Sequence, residues 1–342
     1  MSLVAPFPYF GGKRDVATEV WRRFGGVVNY VEPFFGSGAV LLGRDLPVKT
    51  ETINDADGMV ANFWRATRSA PESVAEYADW PVSELDLTAR HAWLVGQRDS
   101  ITSRLEADPD WFDAKAAGWW VWGACAWIGS GWCSGEGPWT VVDGELVNRK
   151  LPHLGTRGQG INRQLPHLGT SGQGINRKLP HLGDRGQGIN RQLPHLGDRG
   201  QGINEWFVAL ADRLRGTRIC CGDWSRVVGD SCTWRHGLTG VFLDPPYVDG
   251  SIDYAVGDRS VANDVRGWAL DAAKRKDMRI ALCGYAEHDE LAEAGWSKFA
   301  WKARGGYSSQ DGENANAAKE TVWFSPHCIG GAADMPLFGG AA

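Results

Sequence analysis

The tetrapeptide Asp244-Pro245-Pro246-Tyr247 combines a carboxylate, two prolines and an aromatic ring directly after the apolar run Gly240 to Leu243. Two consecutive prolines fix the backbone and remove two N–H donors, which leaves carbonyl groups available beside the carboxylate. Asp244 and a proline carbonyl could each accept a hydrogen bond from an amino group on a planar heterocycle, on which the Tyr247 ring could stack. The alternative for the bare tetrapeptide is a proline-rich turn.

A second candidate site is the segment EPFFGSG at residues 32–38, which follows the β-branched and aromatic run at residues 27–31. A strand, a Gly-x-Gly turn and a helix form a backbone cradle for a nucleotide-like ligand. Because Leu41 stands where a dinucleotide fingerprint has its third glycine, the turn suits a cofactor without a pyrophosphate. Asp55 ends the next predicted strand and is placed to bind ribose hydroxyls. The alternatives are an ordinary strand–helix turn and a helix-capping aspartate.

The elements that must position these residues alternate between strands and helices. We predict strands at residues 27–31, 49–53, 218–221, 240–243, 279–283 and 321–324, and helices at 39–44, 59–64, 102–127, 207–214 and 261–274. Such alternation predicts an α/β protein with a doubly wound, mostly parallel sheet, in which ligands bind beyond the carboxyl ends of the strands. Glu32, Asp55, Asp223 and Asp244 all lie at predicted strand carboxyl ends.

Four segments, in this order along the chain, resemble the Dam-type (D12-class) DNA adenine-N6 methyltransferases, with similarity to phage-borne members. They are PYFGGK at residues 8–13, VEPFFGSG at 31–38, IND at 53–55 and DPPY at 244–247. The resemblance covers residues 6–67 and about 217–328. It implies a Rossmann-like S-adenosylmethionine-dependent methyltransferase fold with an inserted target-recognition region.

The same resemblance implies S-adenosylmethionine as the cofactor and double-stranded DNA as the partner, and it assigns individual residues to each. The cofactor residues are Tyr9 and Lys13 in the N-terminal segment, Glu32, Phe34, Gly36 and Gly38 in the glycine-rich segment, Asp55 at the ribose, and Asp223 with Trp224 at the adenine. Phe34, Gly36 and Gly38 would cradle the methionine part. The residues that would hold the flipped target adenine are Asp244, Pro245, Pro246 and Tyr247.

The reaction implied by the resemblance is methyl transfer to the N6 amino group of an adenine extruded from the duplex, at a cost of about a few kcal/mol. It requires neither a metal ion nor a nucleophilic side chain. An N4-cytosine DNA methyltransferase is an alternative, since cytosine also carries an exocyclic amine; Asp rather than Ser at position 244 favours adenine by resemblance. A second alternative is a non-catalytic DNA-binding or repeat-mediated interaction protein derived from this fold.

The predicted domain organisation is a catalytic domain formed by residues 1–69 and 216–342, interrupted by a target-recognition region at 70–149. Nine of the 18 Trp residues lie between Trp80 and Trp139. Aromatic packing is the favoured interpretation of this cluster. Trp132 and Trp139 are the better candidates for direct contact with DNA, because they belong to a Gly-rich loop.

Residues 150–205 consist of four tandem 14-residue copies related to KLPHLGTRGQGINR, inserted before the catalytic half. They contain eight Lys or Arg and three Asp or Glu, a balance of +5 in a chain whose net charge is −5. They are interpreted either as an arm that contacts DNA phosphates or as a tandem duplication without added function. A metal site would need His153, His167, His181 and His195 to converge, so no metal site is predicted.

Cysteine usage and hydropathy predict a location. The seven cysteines are odd in number and contain no CxxC pair, which argues against a disulfide framework or a structural zinc site and favours a reducing cytoplasm. No signal peptide or membrane-spanning run is found, so no membrane association is expected. We expect a cytoplasmic protein of a bacterial or phage-infected cell, consistent with a restriction-modification or phage host-defence context. The sequence indicates no oligomeric state.

Overall fold

The computed structural model describes residues 3, 5–9, 13–127, 131–133, 139–142, 145–148, 202–246, 259–285, 289–300 and 320–330. The chain divides into two compact units. The sheet unit comprises Met1–Ala5, Tyr9–Ala61 and Arg213–Ala342, and the helical unit comprises Pro6–Pro8 and Asn62–Asp212. The assignment of residues 70–149 to target recognition remains a prediction, and the repeats lie outside the described residues up to position 201.

The strands in chain order are β1 (Asn29–Glu32), β2 (Thr50–Asp55), β3 (Trp139–Val142), β4 (Glu145–Asn148), β5 (Thr217–Cys221), β6 (Thr239–Leu243), β7 (Met278–Tyr285), β8 (Ser297–Ala300) and β9 (Glu320–Phe324). Among the described residues, seven of them form one sheet in the order β5-β2-β1-β6-β7-β9-β8. The neighbours from β5 to β7 are parallel, whereas β9 is antiparallel to both β7 and β8. The remaining pair, β3 and β4, is an antiparallel hairpin in the helical unit.

The helices in chain order are α1 (Arg14–Phe24), α2 (Ala39–Leu42), α3 (Gly58–Ser69), α4 (Pro71–Ala78), α5 (Glu84–Ala107), α6 (Ala114–Ala126), α7 (Ile203–Leu214), α8 (Arg259–Ala272) and α9 (Asp289–Glu293). The chain passes from the sheet unit to the helical unit within α3 and returns at the end of α7. No helix in the described part of the chain is both long and apolar enough to span a bilayer.

The strand order reverses between β1 and β6, which lie side by side at the centre of the sheet. The chain proceeds outward from β1 through β2 and β5, and later outward in the other direction through β6 and β7. Such a switch point opens a crevice at the carboxyl ends of the strands. The predicted α/β class with a doubly wound, mostly parallel sheet is therefore confirmed.

The central strands are buried along their whole length, as expected for a parallel sheet covered on both faces. Val241, Ile280 and Leu282 pack in one apolar cluster with Val265 and Ala269 of α8. The apolar spacing that predicted a helix at 261–274 is thus the face of α8 that packs against the core.

The predicted helical segment at 102–127 is interrupted, because it contains the end of α5 and the whole of α6. Asp113 caps α6, its carboxylate accepting a hydrogen bond from the Ala116 N–H at 2.8 Å. Ser83 caps α5 in the same way through the Asp86 N–H at 3.1 Å. Pro109 lies between the two helices and lacks the N–H that a continuous helix would require.

The tryptophans of the helical unit pack mainly against one another and against cations. Trp122 is 2% exposed and donates its indole N–H to the Trp80 carbonyl at 2.8 Å, while the Arg90 guanidinium lies 4.1 Å from the Trp122 ring centroid. Trp132 donates its indole N–H to the Trp120 carbonyl at 2.9 Å. These contacts favour the packing interpretation for Trp132, and the side chain of Trp139 lies outside the described residues.

Candidate active site

The glycine-rich turn after β1 adopts a backbone that requires glycine. Gly36 and Gly38 have φ values of 47° and 70°, in the left-handed region that favours glycine. A Cβ atom on Gly36 would also lie 2.5 Å from the Tyr9 ring, so that ring lies directly against the turn. The Phe35 N–H donates to the Asn54 carbonyl at 3.0 Å, which ties the turn to the end of β2.

Asp55 holds the same turn from the carboxyl end of β2. Its carboxylate accepts hydrogen bonds from the Gly36 N–H and the Asp57 N–H, both at 2.9 Å. Burial, reinforced by the nearby Asp57 charge and opposed by the two N–H donors, raises the pKa of Asp55 to about 7. Asp55 therefore titrates near neutral pH.

Glu32 lies beneath the turn and is 2% exposed. The Tyr30 hydroxyl donates to its carboxylate at 2.7 Å. Burial raises the pKa of Glu32 well above its usual range, the hydrogen bond from Tyr30 opposes this shift, and the charge of Asp244 reinforces it. Glu32 thus lines the cleft as a buried side chain with little exposed surface.

Asp244 follows β6 and forms an ion pair with Lys13, whose Nζ lies 3.1 Å from its Oδ2. Lys13 is 5% exposed, so its charge is enclosed at the start of α1. Pro245 is buried and Pro246 is partly exposed. Tyr247, the fourth residue of the predicted tetrapeptide, lies outside the described residues, and so do Gly11 and Gly12.

Asp223 and Trp224 follow β5. The Asp223 carboxylate accepts hydrogen bonds from the N–H of Ser225 at 2.9 Å and from its hydroxyl, which begins a short 3-10 turn. The Trp224 ring faces the Phe34 ring at a centroid distance of 6.3 Å and an interplanar angle of 26°. Two aromatic rings therefore face each other from the loops after β1 and β5.

These loops line one cleft in the sheet unit. Of the predicted site residues, those that line it are Tyr9, Lys13, Glu32, Phe34, Gly36, Asp55, Asp223, Trp224, Asp244 and Pro246. Gly38 and Pro245 do not contribute to its lining. Its ionisable lining consists of one ammonium group and four carboxyl groups, of which Glu32 and Asp55 have raised pKa values. This excess of carboxyl groups suits a cationic ligand with a polar, hydroxyl-bearing part.

Asn54 also lines the cleft, although no motif considered in the sequence assigned it a role. Its side-chain amide donates to the Pro33 carbonyl at 3.1 Å and to the Gly222 carbonyl at 2.9 Å. The only sequence signal was its place beside Asp55 in the IND segment. Asn54 thereby connects the loops after β1 and β5.

A family model described as D12 class N6 adenine-specific DNA methyltransferase matches residues 9–85. The match contains the glycine-rich turn, Asp55 and Lys13, and it ends before Asp223 and Asp244. No curated protein matches the sequence.

Proposed function

We propose that the chain is an adenine-N6 DNA methyltransferase of the D12 class, whose family model matches residues 9–85, and that its cleft binds S-adenosylmethionine beside a target adenine extruded from double-stranded DNA. The observation that carries this proposal is the convergence of three segments in one cleft: the glycine-rich turn, Asp55 and Asp244. They follow three neighbouring strands, β1, β2 and β6, at the switch point of the sheet.

The chemistry of the cleft fits this cofactor. S-adenosylmethionine, when bound, supplies an electrophilic methyl group on a positively charged sulfonium. The carboxyl groups that line the cleft favour a cation, and a ribose offers hydroxyl donors to the Asp55 carboxylate. The resemblance places Phe34 at the methionine part of the cofactor, but its ring faces the Trp224 ring, so both are proposed to pack on the adenine instead. The Asp223 carboxylate lies beside them as an acceptor for the adenine amino group.

The target amino group is proposed to bind at Asp244. Its carboxylate and the Pro245 carbonyl would each accept one N–H hydrogen bond, which favours a pyramidal nitrogen with its lone pair directed at the methyl group. Lys13 holds the Asp244 carboxylate in place through the 3.1 Å ion pair. Catalysis then depends on positioning and on charge placement. Stacking on Tyr247, worth roughly 1–3 kcal/mol, would offset part of the cost of base extrusion.

Incubation of the purified protein with methyl-labelled S-adenosylmethionine and double-stranded DNA, followed by nucleoside analysis, tests this proposal. N6-methyladenine is the expected product. N4-methylcytosine would instead support the cytosine alternative. If no label is transferred to the DNA, the proposal of catalysis is contradicted.

The matched variants in this assay are Asp244→Ala and Asp277→Ala. Asp244→Ala should lower methyl transfer by at least about a hundredfold, because the amino group loses its charged acceptor. Asp277 forms an exposed ion pair with Arg275 at 2.9 Å, so Asp277→Ala should retain activity. Substantial turnover by folded Asp244→Ala would contradict the proposed role of Asp244.

For residues 150–205 we propose an arm that contacts phosphates along the duplex beside the target. The balance of +5 in this segment supports this role, and near-identical copies should make repetitive contacts that do not depend on base sequence. Deletion of residues 150–177 removes four basic residues and no acidic ones. The slope of log K against log salt should become shallower by up to about 0.9 for each phosphate that the protein no longer neutralises.

The methylated sequence and the turnover at saturating DNA should stay the same in this deletion variant. An unchanged salt slope would make the segment a spacer or a duplication relic. A changed methylated sequence would place the repeats in target recognition, together with residues 70–149.

The location and context are proposals of the same kind. The odd number of cysteines and the absence of a CxxC pair support a reducing compartment such as the cytoplasm. A restriction-modification or phage host-defence context is consistent with an enzyme that methylates DNA.

A further inference from the structure

Asn54 binds two loops of the cleft with one side chain. It is 1% exposed, and its Nδ2 donates to the Pro33 carbonyl in the loop after β1 and to the Gly222 carbonyl in the loop after β5. Its own backbone carbonyl accepts from the Phe35 N–H at 3.0 Å. Asn54 therefore links these two loops through its side chain, beside the backbone hydrogen bond from the Gly222 N–H to the Asp55 carbonyl at 3.0 Å.

Each of these loops carries one of the two facing aromatic rings. Phe34 directly follows Pro33, and Trp224 lies two residues after Gly222. Carbon atoms in contact are about 3.5 Å apart, so a planar ring between two others requires about 7 Å. The Phe34 and Trp224 centroids are 6.3 Å apart. This centroid distance is close to the spacing that a sandwiched ring requires, so a small change in loop separation should alter the contact of both rings with a heterocycle.

The orientation of the Asn54 amide follows from its contacts. Because Nδ2 faces two carbonyl groups, Oδ1 is the remaining acceptor, and it is buried without a hydrogen-bond partner among the described residues. A buried acceptor without a partner destabilises the fold. The bridge between the two loops is therefore present at a cost in stability.

We propose that Asn54 is a positioning residue that sets the separation of Phe34 and Trp224 and thereby the affinity for the adenine part of the cofactor. The proposal rests on the proposed function, because it takes S-adenosylmethionine as the ligand of the cleft. Asn54 acts through the two loops and not by contact with the reacting atoms.

Asn29 provides a matched control in the same sheet. It is 0% exposed, and its Nδ2 donates to the backbone carbonyls of Cys232 at 2.9 Å and Thr233 at 3.1 Å. Its Oδ1 is likewise buried without a partner among the described residues. Asn29 begins β1 and therefore lies at the amino end of the strands, whereas Asn54 lies at the carboxyl end.

The experiment compares Asn54→Ala with Asn29→Ala in the full chain. Urea unfolding should show a loss of stability in both variants, since each loses a buried side-chain bridge. Calorimetric titration with S-adenosylhomocysteine and with adenosine should show weaker binding, by about tenfold or more, in Asn54→Ala only. In steady-state assays Asn54→Ala should raise KM for S-adenosylmethionine and leave kcat nearly unchanged. Asn54→Ser, which keeps one hydroxyl donor, should give an affinity between those of the wild-type protein and Asn54→Ala. It replaces Asn54→Ala in the titration if that variant does not fold.

Wild-type affinity in folded Asn54→Ala, or equal loss of affinity in Asn29→Ala, would overturn the role of Asn54. Failure of the wild-type protein itself to bind S-adenosylhomocysteine would instead overturn the proposed function. The two failures are therefore distinguishable in the same titration series.

Discussion

The two ends of β2 carry carboxyl groups in opposite situations. Near the amino end, Glu51 is 2% exposed and accepts hydrogen bonds from both terminal nitrogens of Arg213 at 2.7 and 2.9 Å and from the Thr217 hydroxyl at 3.0 Å. At the carboxyl end, Asp55 accepts only backbone N–H groups among the described residues, and its pKa is raised to about 7.

The amino end of β2 therefore contributes to stability, and its carboxyl end is suited to ligand binding. Arg213 also donates to the Leu41 carbonyl at 3.1 Å, so its charge and its donors are satisfied within the protein. Asp55 keeps an unneutralised carboxyl group at the cleft. We infer that Arg213 compensates the Glu51 charge at the amino end of β2, whereas the Asp55 carboxyl group at the carboxyl end is available to a ligand.

Breaking the amino-end pair should have the largest effect on stability. Arg213→Met leaves the Glu51 charge buried without its partner, which costs about 3–5 kcal/mol of unfolding free energy. Urea unfolding measures this loss. Arg275→Met is the control, because the Arg275–Asp277 pair is exposed and its removal should cost about 1 kcal/mol or less.

The double variant Glu51→Leu with Arg213→Met sharpens this prediction. Much of the lost stability should return, because no uncompensated charge remains buried. Equal unfolding free energies for Arg213→Met and Arg275→Met would show that the Glu51 pair is no different from a surface pair.

The carboxyl end should show a pH-dependent effect through Asp55. Well below about pH 4 the side chain is protonated in both the folded and unfolded states. As the pH rises towards 7 the unfolded state ionises first, so the contribution of Asp55 to stability decreases and then levels off above its folded pKa of about 7.

Cofactor affinity should change in the opposite direction. The ionised carboxylate is the better acceptor for ribose hydroxyls, so affinity for S-adenosylhomocysteine should rise by up to about tenfold per pH unit up to pH 7 and then level off. Calorimetry from pH 5 to 9 measures this, and Asp55→Asn should remove the dependence while Asp277→Asn keeps it. If the affinity of Asp55→Asn keeps the same pH profile, another group causes the pH dependence, and Glu32 is the next candidate.

The local parts of the site were accessible from the sequence, and the long-range parts were not. Gly36 and Asp55 belong to short motifs whose chemistry is readable in a few neighbouring residues. Asn54 acts on Pro33 and Gly222, which lie 21 and 168 residues away along the chain. Such partners become visible only when the strand order is known.

The same distinction between local and long-range signals applies to the elements of the fold. The apolar runs that form the buried strands β1, β2 and β6 predicted their positions within about two residues, since central parallel strands are nearly continuous in apolar residues. The helix α1 was missed, although Val16, Val20 and Phe24 have the spacing of one buried helix face. The edge strand β8 alternates partly buried and exposed residues over only four positions, too short a pattern to predict.

The pairing of β2 with β5 has a consequence for changes in the number of 14-residue copies. These strands are parallel neighbours, yet residues 56–216, including all four repeats, lie between them. The entropic cost of closing a segment grows only with the logarithm of its length, so gaining or losing one 14-residue copy alters it by about 0.1 kcal/mol. For the pairing of β2 with β5, gain or loss of one copy is therefore nearly neutral in free energy.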